Sequence, residues 1–196
     1  MSIPAIRLLL LPLVLSWLPA KANPEETFLW KNVAGWNVYI DKTLKFQCFI
    51  TNLYEDNTFF RISFLEPGSS SALYVAIGNP DWTSIEVDKD YDLTLQIDNA
   101  GAWRSPSRGA RIGTIPSLLI NTSQADFVES LMRKHSLKVH FNSRQILHLS
   151  LRGSNAALME MLNCQDTVNS YREKASPKDP FSGASSPSLK KDPFAL

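Results

Sequence analysis

A strict alternation of apolar and polar residues is the feature that most constrains the fold of this 196-residue chain. The alternation is clearest in YDLTLQID, residues 91–98, where Tyr, Leu, Leu and Ile alternate with acidic, hydroxyl and amide side chains. Successive side chains of a β-strand point to opposite faces of a sheet, so this pattern predicts a strand with one buried and one solvated face. Such half-buried strands are typical of antiparallel sheets.

Similar short segments recur along the chain and are separated by turn residues such as Pro67-Gly68 and Gly78-Asn79-Pro80. The clearer candidates are 36–40, 46–51, 58–65, 72–77, 82–87, 91–98, 137–141 and 147–151, and weaker ones are 103 and 108–115. Many short strands with few helices predict a mainly β fold. We expect an antiparallel β-sandwich or flattened barrel of about eight strands.

Two segments show helical spacing instead. Phe127, Val128, Leu131 and Met132 predict a helix over 124–134. A second apolar stripe predicts a helix from Ser154 to about residue 174. We expect these two short helices to plug an open end or to cover an edge strand of the sheet.

The first 22 residues have the pattern of a secretory signal peptide. Arg7 precedes an apolar run over 8–18, and Ala20-Lys21-Ala22 matches a small-residue cleavage site. We expect cleavage after Ala22 and a periplasmic or secreted product. The apolar run is shorter than the roughly 20 residues of a membrane-spanning helix. No later segment is apolar enough to span a bilayer, so we expect no integral membrane segment after cleavage.

Net charge and composition narrow the possible partners. The whole chain has 20 basic and 19 acidic residues, and cleavage would remove Arg7 and Lys21 but no acid. A nearly neutral chain has no general attraction to nucleic acid, so we expect no nucleic-acid partner. The 44% hydrophobic content is sufficient for a core, and the length predicts one domain over 23–174.

The chain has two cysteines, Cys48 and Cys164. An even number of cysteines in an exported protein favours a disulfide. This bond would join the beginning of the expected domain to its end. Two buried thiols or a metal-binding pair are the alternatives, although a structural zinc site usually needs four ligands.

Residues 175–196 are rich in Ser and Pro and have little to bury, which predicts a disordered tail. The tetrapeptide Lys-Asp-Pro-Phe occurs twice in it, and in each copy proline restricts the backbone beside one large aromatic side chain. Two such copies could bind a protein partner in the envelope or host with enhanced apparent affinity. A chance duplication in a linker is the alternative. The candidate docking residues are Asp179, Pro180, Phe181, Asp192, Pro193 and Phe194.

Several short segments resemble the invasion-associated locus B type of small exported bacterial proteins. They are GWNVYID and CFI, residues 35–41 and 48–50, and LHLSLRGSNAALMEMLNC, residues 147–164. The resemblance covers roughly residues 35–165 and implies an envelope β-protein with a link to host association. It implies no catalytic residues. The chain departs from the family in having only two cysteines and in its tail.

The sequence contains no nucleophile elbow and no other motif of nucleophilic catalysis. We therefore expect no catalytic residues, no cofactor and no metal site. His140 and His148 would lie opposite each other if Phe141 paired with Leu147, but no third metal ligand lies near them in the sequence.

Three aromatic residues are candidates for a platform that binds a sugar or peptide: Trp82, Tyr91 and Trp103. Packing in the core is the alternative, because large aromatic side chains are usually buried. Together these features predict a non-enzymatic binding protein of the bacterial envelope. An enzyme whose site is assembled from distant residues, or an accessory protein of envelope assembly, is the alternative.

Overall fold

The computed structural model describes residues 26–65, 72–99 and 101–175. The predicted signal peptide and nearly all of the predicted tail lie outside these ranges. The described ranges contain ten strands and two helices: β1 (Thr27–Val33), β2 (Trp36–Asp41), β3 (Gln47–Leu53), β4 (Phe59–Phe64), β5 (Leu73–Gly78), β6 (Asp90–Ile97), β7 (Ala102–Ile112), β8 (Ile115–Thr122), α1 (Ala125–Arg133), β9 (Ser136–Phe141), β10 (Arg144–Ser150) and α2 (Ser154–Ala175). The prediction of a mainly β, antiparallel fold with two helices is confirmed, with ten strands and a second helix of 22 residues.

All ten strands form one antiparallel sheet in the order β1-β2-β3-β4-β5-β8-β7-β6-β9-β10. β1 and β10 are its edges, so the sheet is not closed. The sheet nevertheless curls back on itself. The evidence is a 2.6 Å hydrogen bond that the hydroxyl of Tyr54, just after β3, donates to the carbonyl of Ser150 in β10. The two layers expected of a sandwich are therefore two halves of one continuous sheet that share a single core.

The sequence pattern does not predict β1, because the contacts that hold this strand are with residues far away in the sequence. Trp30 Nε1 donates to Glu160 Oε1 of α2 at 2.9 Å, and Lys31 Nζ lies 2.8 Å from Glu160 Oε2. The hydrogen bonds from Lys31 and Trp30 lower the pKa of Glu160 to about 2. Helix α2 thus helps to hold an edge strand whose own side chains are mostly exposed.

The segment 82–87, predicted as a short strand, instead forms a series of turns. The amide of Ile85 donates to the carbonyl of Trp82 at 3.0 Å, and the amide of Trp82 donates to Asn79 at 3.1 Å. These local bonds occupy backbone groups that a strand would use for pairing. The prediction of a strand here is therefore wrong.

A sharp turn at Gly153 leads the chain from β10 into α2. Gly153 has φ +84°, and a Cβ at this position would collide with the backbone oxygen of Ala34. Trp36 Nε1 donates to the carbonyl of Arg152 at 2.9 Å, which places the start of α2 beside the start of β2. Glycine is required at Gly153 both for its positive φ and for this close approach.

Helix α2 is attached to β3 by a covalent bond. Cys164 and Cys48 form a disulfide with a Cα–Cα distance of 6.2 Å, and both residues are fully buried. The next residue, Gln165, accepts a 2.9 Å hydrogen bond from the amide of Cys48 through its side-chain oxygen. The disulfide expected from the sequence is present. Within the described ranges, no helix is both long and apolar enough to cross a membrane.

We expect a Cys48→Ala/Cys164→Ala variant to lose up to about 4–5 kcal/mol in the free energy of unfolding, since the bond spans 116 residues. Urea unfolding of the oxidised chain and of the variant measures this loss. Addition of dithiothreitol should destabilise the wild type and leave the variant unchanged. Equal unfolding midpoints for the oxidised wild type and the variant would contradict the prediction.

Candidate functional site: a groove on the outer face of the sheet

The outer face of the sheet, opposite the core and α2, carries a stack of side chains across four neighbouring strands. Tyr39 of β2 stacks on Phe49 of β3 with ring centroids 5.4 Å apart. The guanidinium carbon of Arg61, from β4, lies 3.5 Å from the centroid of Phe49 and 5.6 Å from that of Tyr74 in β5. We call these four residues the outer-face stack. Cation–π contacts of this kind stabilise a desolvated guanidinium.

Arg61 also forms a buried ion pair. Its Nη2 lies 2.9 Å from Oδ2 of Asp41, and the two side chains are only 9% and 7% exposed. The other carboxylate oxygen, Oδ1, accepts hydrogen bonds from the amide and hydroxyl of Thr43 and from the amide of Leu44. Asp41 therefore holds the turn after β2 with one oxygen and Arg61 with the other.

These contacts set the protonation states of the two titratable groups beside Arg61. Burial raises the pKa of Asp41, but the hydrogen bonds from Thr43 and Arg61, with the charge of Arg61, outweigh burial and bring the pKa below its usual value. Burial raises the pKa of the Tyr74 hydroxyl, and Arg61 offsets this only in part. At neutral pH Asp41 is therefore charged and Tyr74 is protonated.

One donor of Arg61 has no acceptor among the residues that the structure describes. Its Nε–H is buried and has no hydrogen-bond partner among the described residues. A buried donor without a partner costs about 1–3 kcal/mol, and more when the group is charged. Native proteins contain few such groups. Because this donor is not accessible to solvent, a ligand in the groove could not reach it without a movement of the Arg61 side chain.

A groove of about 570 Å³ lies above this ion pair. Its walls are largely apolar, and Leu44 and Leu65 at its rim are 38% and 41% exposed. The lining residues are Glu26, Thr27, Asp41, Thr43, Leu44, Arg61, Leu65, Tyr74, Arg111, Ile112, Gly113, Leu119 and Asn121. A second cleft of about 600 Å³ lies between the end of β3 and β10, but neither residue of the ion pair lines it.

The composition of the groove suits binding better than acid–base catalysis. A general base works best when its pKa lies near the working pH. Asp41 is a weak base because its pKa is lowered, and Tyr74 keeps its proton because its pKa is raised. Among the described residues, no group of three or more His, Cys, Asp or Glu side chains could hold a metal ion.

The structure does not bring the three residues of the predicted aromatic platform together. Tyr91 is buried and packs against Phe141, and its hydroxyl accepts a hydrogen bond from the amide of Glu86. Trp103 packs edge-on against Phe127 of α1, with ring centroids 5.7 Å apart. Trp82 is partly buried against the core. The docking residues predicted in the tail lie outside the described ranges.

The two histidines on β9 and β10 are not opposite each other. His140 pairs with Gln145 and His148 pairs with Lys138, because the two-residue turn at Asn142 and Ser143 pairs Phe141 with Arg144. The pairing of Phe141 with Leu147, on which the hypothesis of facing histidines depended, is therefore wrong. The irregularity between Gln145 and Leu147 shifts the later pairings by only one residue, which is too little to bring the two histidines opposite each other.

Sequence reasoning missed Arg61 and Asp41 as site residues. The available signal was the arginine in TFFRISFL, residues 58–65, a strand otherwise rich in apolar residues on both of its faces. A charged residue in such a strand needs a buried partner of opposite charge. The partner could not be identified from the sequence, because Asp41 lies two strands away in the sheet.

Comparison with known proteins supports the fold. No protein-family model matches the chain, and no curated protein matches it by sequence. A solved structure, invasion associated protein B from Bartonella henselae, matches with a TM-score of 0.52 and 16% sequence identity. The match covers 69% of this chain and 97% of that chain. The resemblance noted in the sequence is therefore confirmed at the level of the fold.

We expect Arg61→Met to lower the free energy of unfolding by about 3–5 kcal/mol, because it leaves the buried Asp41 carboxylate unpaired. Asp41→Asn/Arg61→Met should lose less than Arg61→Met alone, since no unpaired charge remains. Urea unfolding measures both. Arg133→Met, which removes an exposed ion pair with Glu129, is the matched control and should change stability by about 0.5 kcal/mol or less. Additive losses for Asp41→Asn and Arg61→Met would contradict the coupling.

The lowered pKa of Asp41 predicts a pH dependence. The unfolded-state pKa of aspartate is about 3.9, so the contribution of Asp41 is fully present above that pH and is lost as pH falls through the lower folded-state pKa. The stability difference between the wild type and Asp41→Asn should therefore be large at pH 6 and shrink below about pH 4. Urea midpoints of both proteins at pH 6, 4 and 3 test this. A constant difference would show that ionised Asp41 contributes nothing specific.

Proposed function

We propose that this chain is an exported, non-enzymatic binding protein of the bacterial envelope and that the outer-face groove is its binding site. The observation that carries the proposal is the groove itself, in which an apolar wall surrounds a buried, charge-neutral Asp41–Arg61 pair. Ligand sites are commonly concave, mostly apolar and equipped with a few placed polar groups. The groove has each of these properties.

The protonation states of the groove support binding over catalysis. The carboxylate of Asp41 is used by Arg61, Thr43 and Leu44, which leaves it little capacity to accept a proton from a substrate. Tyr74 is protonated at neutral pH for the reason given above. A largely apolar surface whose central Asp41 and Arg61 charges are paired with each other favours recognition of a ligand.

Location in the envelope is supported by two independent features. The disulfide between Cys48 and Cys164 is of a kind that persists in oxidising compartments such as the periplasm. The fold matches that of a protein described as invasion associated, from Bartonella henselae. We propose the same general setting for this chain, with a signal peptide removed after Ala22 and a role in association with a host.

The tail is proposed as a second contact with the partner. Phe181 and Phe194, each following Asp-Pro, supply two identical apolar groups on a segment attached to the end of α2. Two weak contacts on one chain raise the apparent affinity through their effective concentration. The groove would then select the ligand, and the tail would prolong the contact.

A site-specific photocrosslink tests the binding site in the producing bacterium. Benzoylphenylalanine at Leu44, on the groove rim, should give an adduct with an envelope component after irradiation. The same probe at Val87, which is also exposed but does not line the groove, is the matched control. Addition of Asn121→Trp, which fills the groove from an exposed lining position, should reduce the Leu44 adduct at least tenfold.

Three results would count against parts of the proposal. Equal adducts at Leu44 and Val87, or no adduct at Leu44, would remove the groove as the binding site. Retention of the uncleaved chain in the cytoplasmic fraction would contradict export. An unchanged adduct in Phe181→Ala/Phe194→Ala would remove the tail from the interaction.

A further inference from the structure

We propose that the cleft between β10 and the end of β3 binds an extended peptide segment of a partner protein, which pairs with β10 as an added strand. This cleft, which we call the edge cleft, has a volume of about 600 Å³ and is lined by residues 52–56 and 146–150. None of these described residues lines the outer-face groove. The inference therefore goes beyond the proposed function and does not depend on it.

One side of the edge cleft is the free edge of the sheet. β10 is the last strand of the described sheet and pairs with β9 alone. The amide of Leu151 donates to the carbonyl of His135 at 2.8 Å, toward β9. The carbonyl of Ser150 points the other way and accepts the 2.6 Å bond from Tyr54. Backbone groups alternate in direction along an antiparallel strand, so the N–H and C=O of His148 also face away from β9. Among the described residues, neither group has a backbone partner.

The other side of the edge cleft is the last residue of β3. The amide of Tyr54 donates to the carbonyl of Thr58 at 2.9 Å, on the side of β4. By the same alternation, the N–H and C=O of Leu53 face the side of β2. The pairing of β3 with β2 has already ended there, at Thr51 and Asn37. Within the described ranges the backbone groups of Leu53 that face this side have no backbone partner. The edge cleft thus has unpaired donors and acceptors on both sides.

An extended peptide is the ligand that matches such groups on two sides. Each of its residues other than proline has one N–H and one C=O, and these alternate between the two sides of the strand. One side would pair with β10 and the other with Leu53. β10 and the end of β3 are joined here by the Tyr54 side chain and not by a ladder, so their backbone groups stay available. Addition of a strand to an exposed sheet edge is a recurring mode of peptide recognition.

The lining of the edge cleft favours particular side chains on the peptide. Glu55 and Asp56 supply two carboxylates, and no lysine or arginine is among the described lining residues. This charge favours a basic segment. Leu53, whose side chain is 66% exposed, and the partly buried Ile146 offer apolar contacts. The segment that fits best is therefore extended, free of proline, and carries both β-branched and basic residues.

The experiment titrates capped pentapeptides into the purified mature chain. The probe is acetyl-Lys-Val-Thr-Val-Lys-amide. Its controls are the same peptide with both valines N-methylated and acetyl-Glu-Val-Thr-Val-Glu-amide. Amide hydrogen exchange followed by NMR reports the pairing directly, because an amide that gains a partner exchanges more slowly. We expect the lysine peptide to bind saturably and to slow exchange at Leu53, His148 and Ser150. The N-methylated and glutamate peptides should each bind at least tenfold more weakly.

Two proline variants separate the contact from the fold. His148→Pro removes an N–H that faces away from β9, so the ladder with β9 keeps its hydrogen bonds, and binding of the lysine peptide should weaken at least tenfold. Leu29→Pro is the matched control on the opposite edge strand, β1. Its N–H also faces away from its neighbour, because the amide of Lys42 donates to the carbonyl of Glu26 at 2.9 Å and sets the alternation there. This variant should bind like the wild type. Circular dichroism and thermal unfolding check that both variants fold. If His148→Pro does not fold, the N-methylated peptide tests the same pairing from the side of the ligand.

Several results would overturn the inference. They are no saturable binding of the lysine peptide, unchanged exchange at His148 and Leu53, equal binding of the N-methylated or glutamate peptide, and binding unaffected by His148→Pro. Slow exchange at His148 in the free chain would also overturn it. Loss of that protection on dilution would assign the edge cleft to a second copy of the chain, and loss on truncation after residue 175 would assign it to the tail. None of these results bears on the photocrosslink at Leu44, so the proposed function and this inference can fail independently.

Discussion

The disulfide between Cys48 and Cys164 is the constraint on which the rest of the arrangement depends. It directs Cys48 toward α2 and the core. Because side chains alternate along a strand, Phe49 must then point to the outer face. A shift of one residue would send every side chain of β3 to the opposite face, and the bond prevents that shift. The outer-face stack of Tyr39, Phe49, Arg61 and Tyr74 is thus a consequence of where the inner face is anchored.

The outer face combines a buried ion pair with one hydrogen-bond donor that has no acceptor in the part of the chain that the structure describes. Arg61 is held by a carboxylate and two aromatic rings, but its Nε–H has no acceptor among the described residues. A buried ion pair is weak evidence for stability, because well-packed apolar residues of similar volume often stabilise a fold equally well. The pair lies among the residues that line an open, largely apolar groove, where we propose that a ligand binds.

Much of the secondary structure was readable from the sequence because local patterns determine it. The alternation in residues 91–98 gave β6, and the apolar stripes gave both helices with nearly their observed ends. The errors have physical causes. β1 depends on contacts of Trp30 and Lys31 with Glu160 in α2, and the segment 82–87 satisfies its backbone through local turns. The two-residue turn at Asn142 and Ser143 set the register of the last hairpin by pairing Phe141 with Arg144, which no alternation pattern reveals.

The sequence by itself determined the mainly β character, the two helices and the two cysteines that form the disulfide. Each of these follows from neighbouring residues or from residue type. Only the tertiary structure decided the strand order, in which β5 pairs with β8 and β6 with β9, and the continuity of the curled sheet. The same holds for the groove, since Asp41, Arg61 and Arg111 meet there through pairings between distant strands. Long-range register depends on how complete faces pack, and a pattern along one strand contains no information about which strand lies beside it.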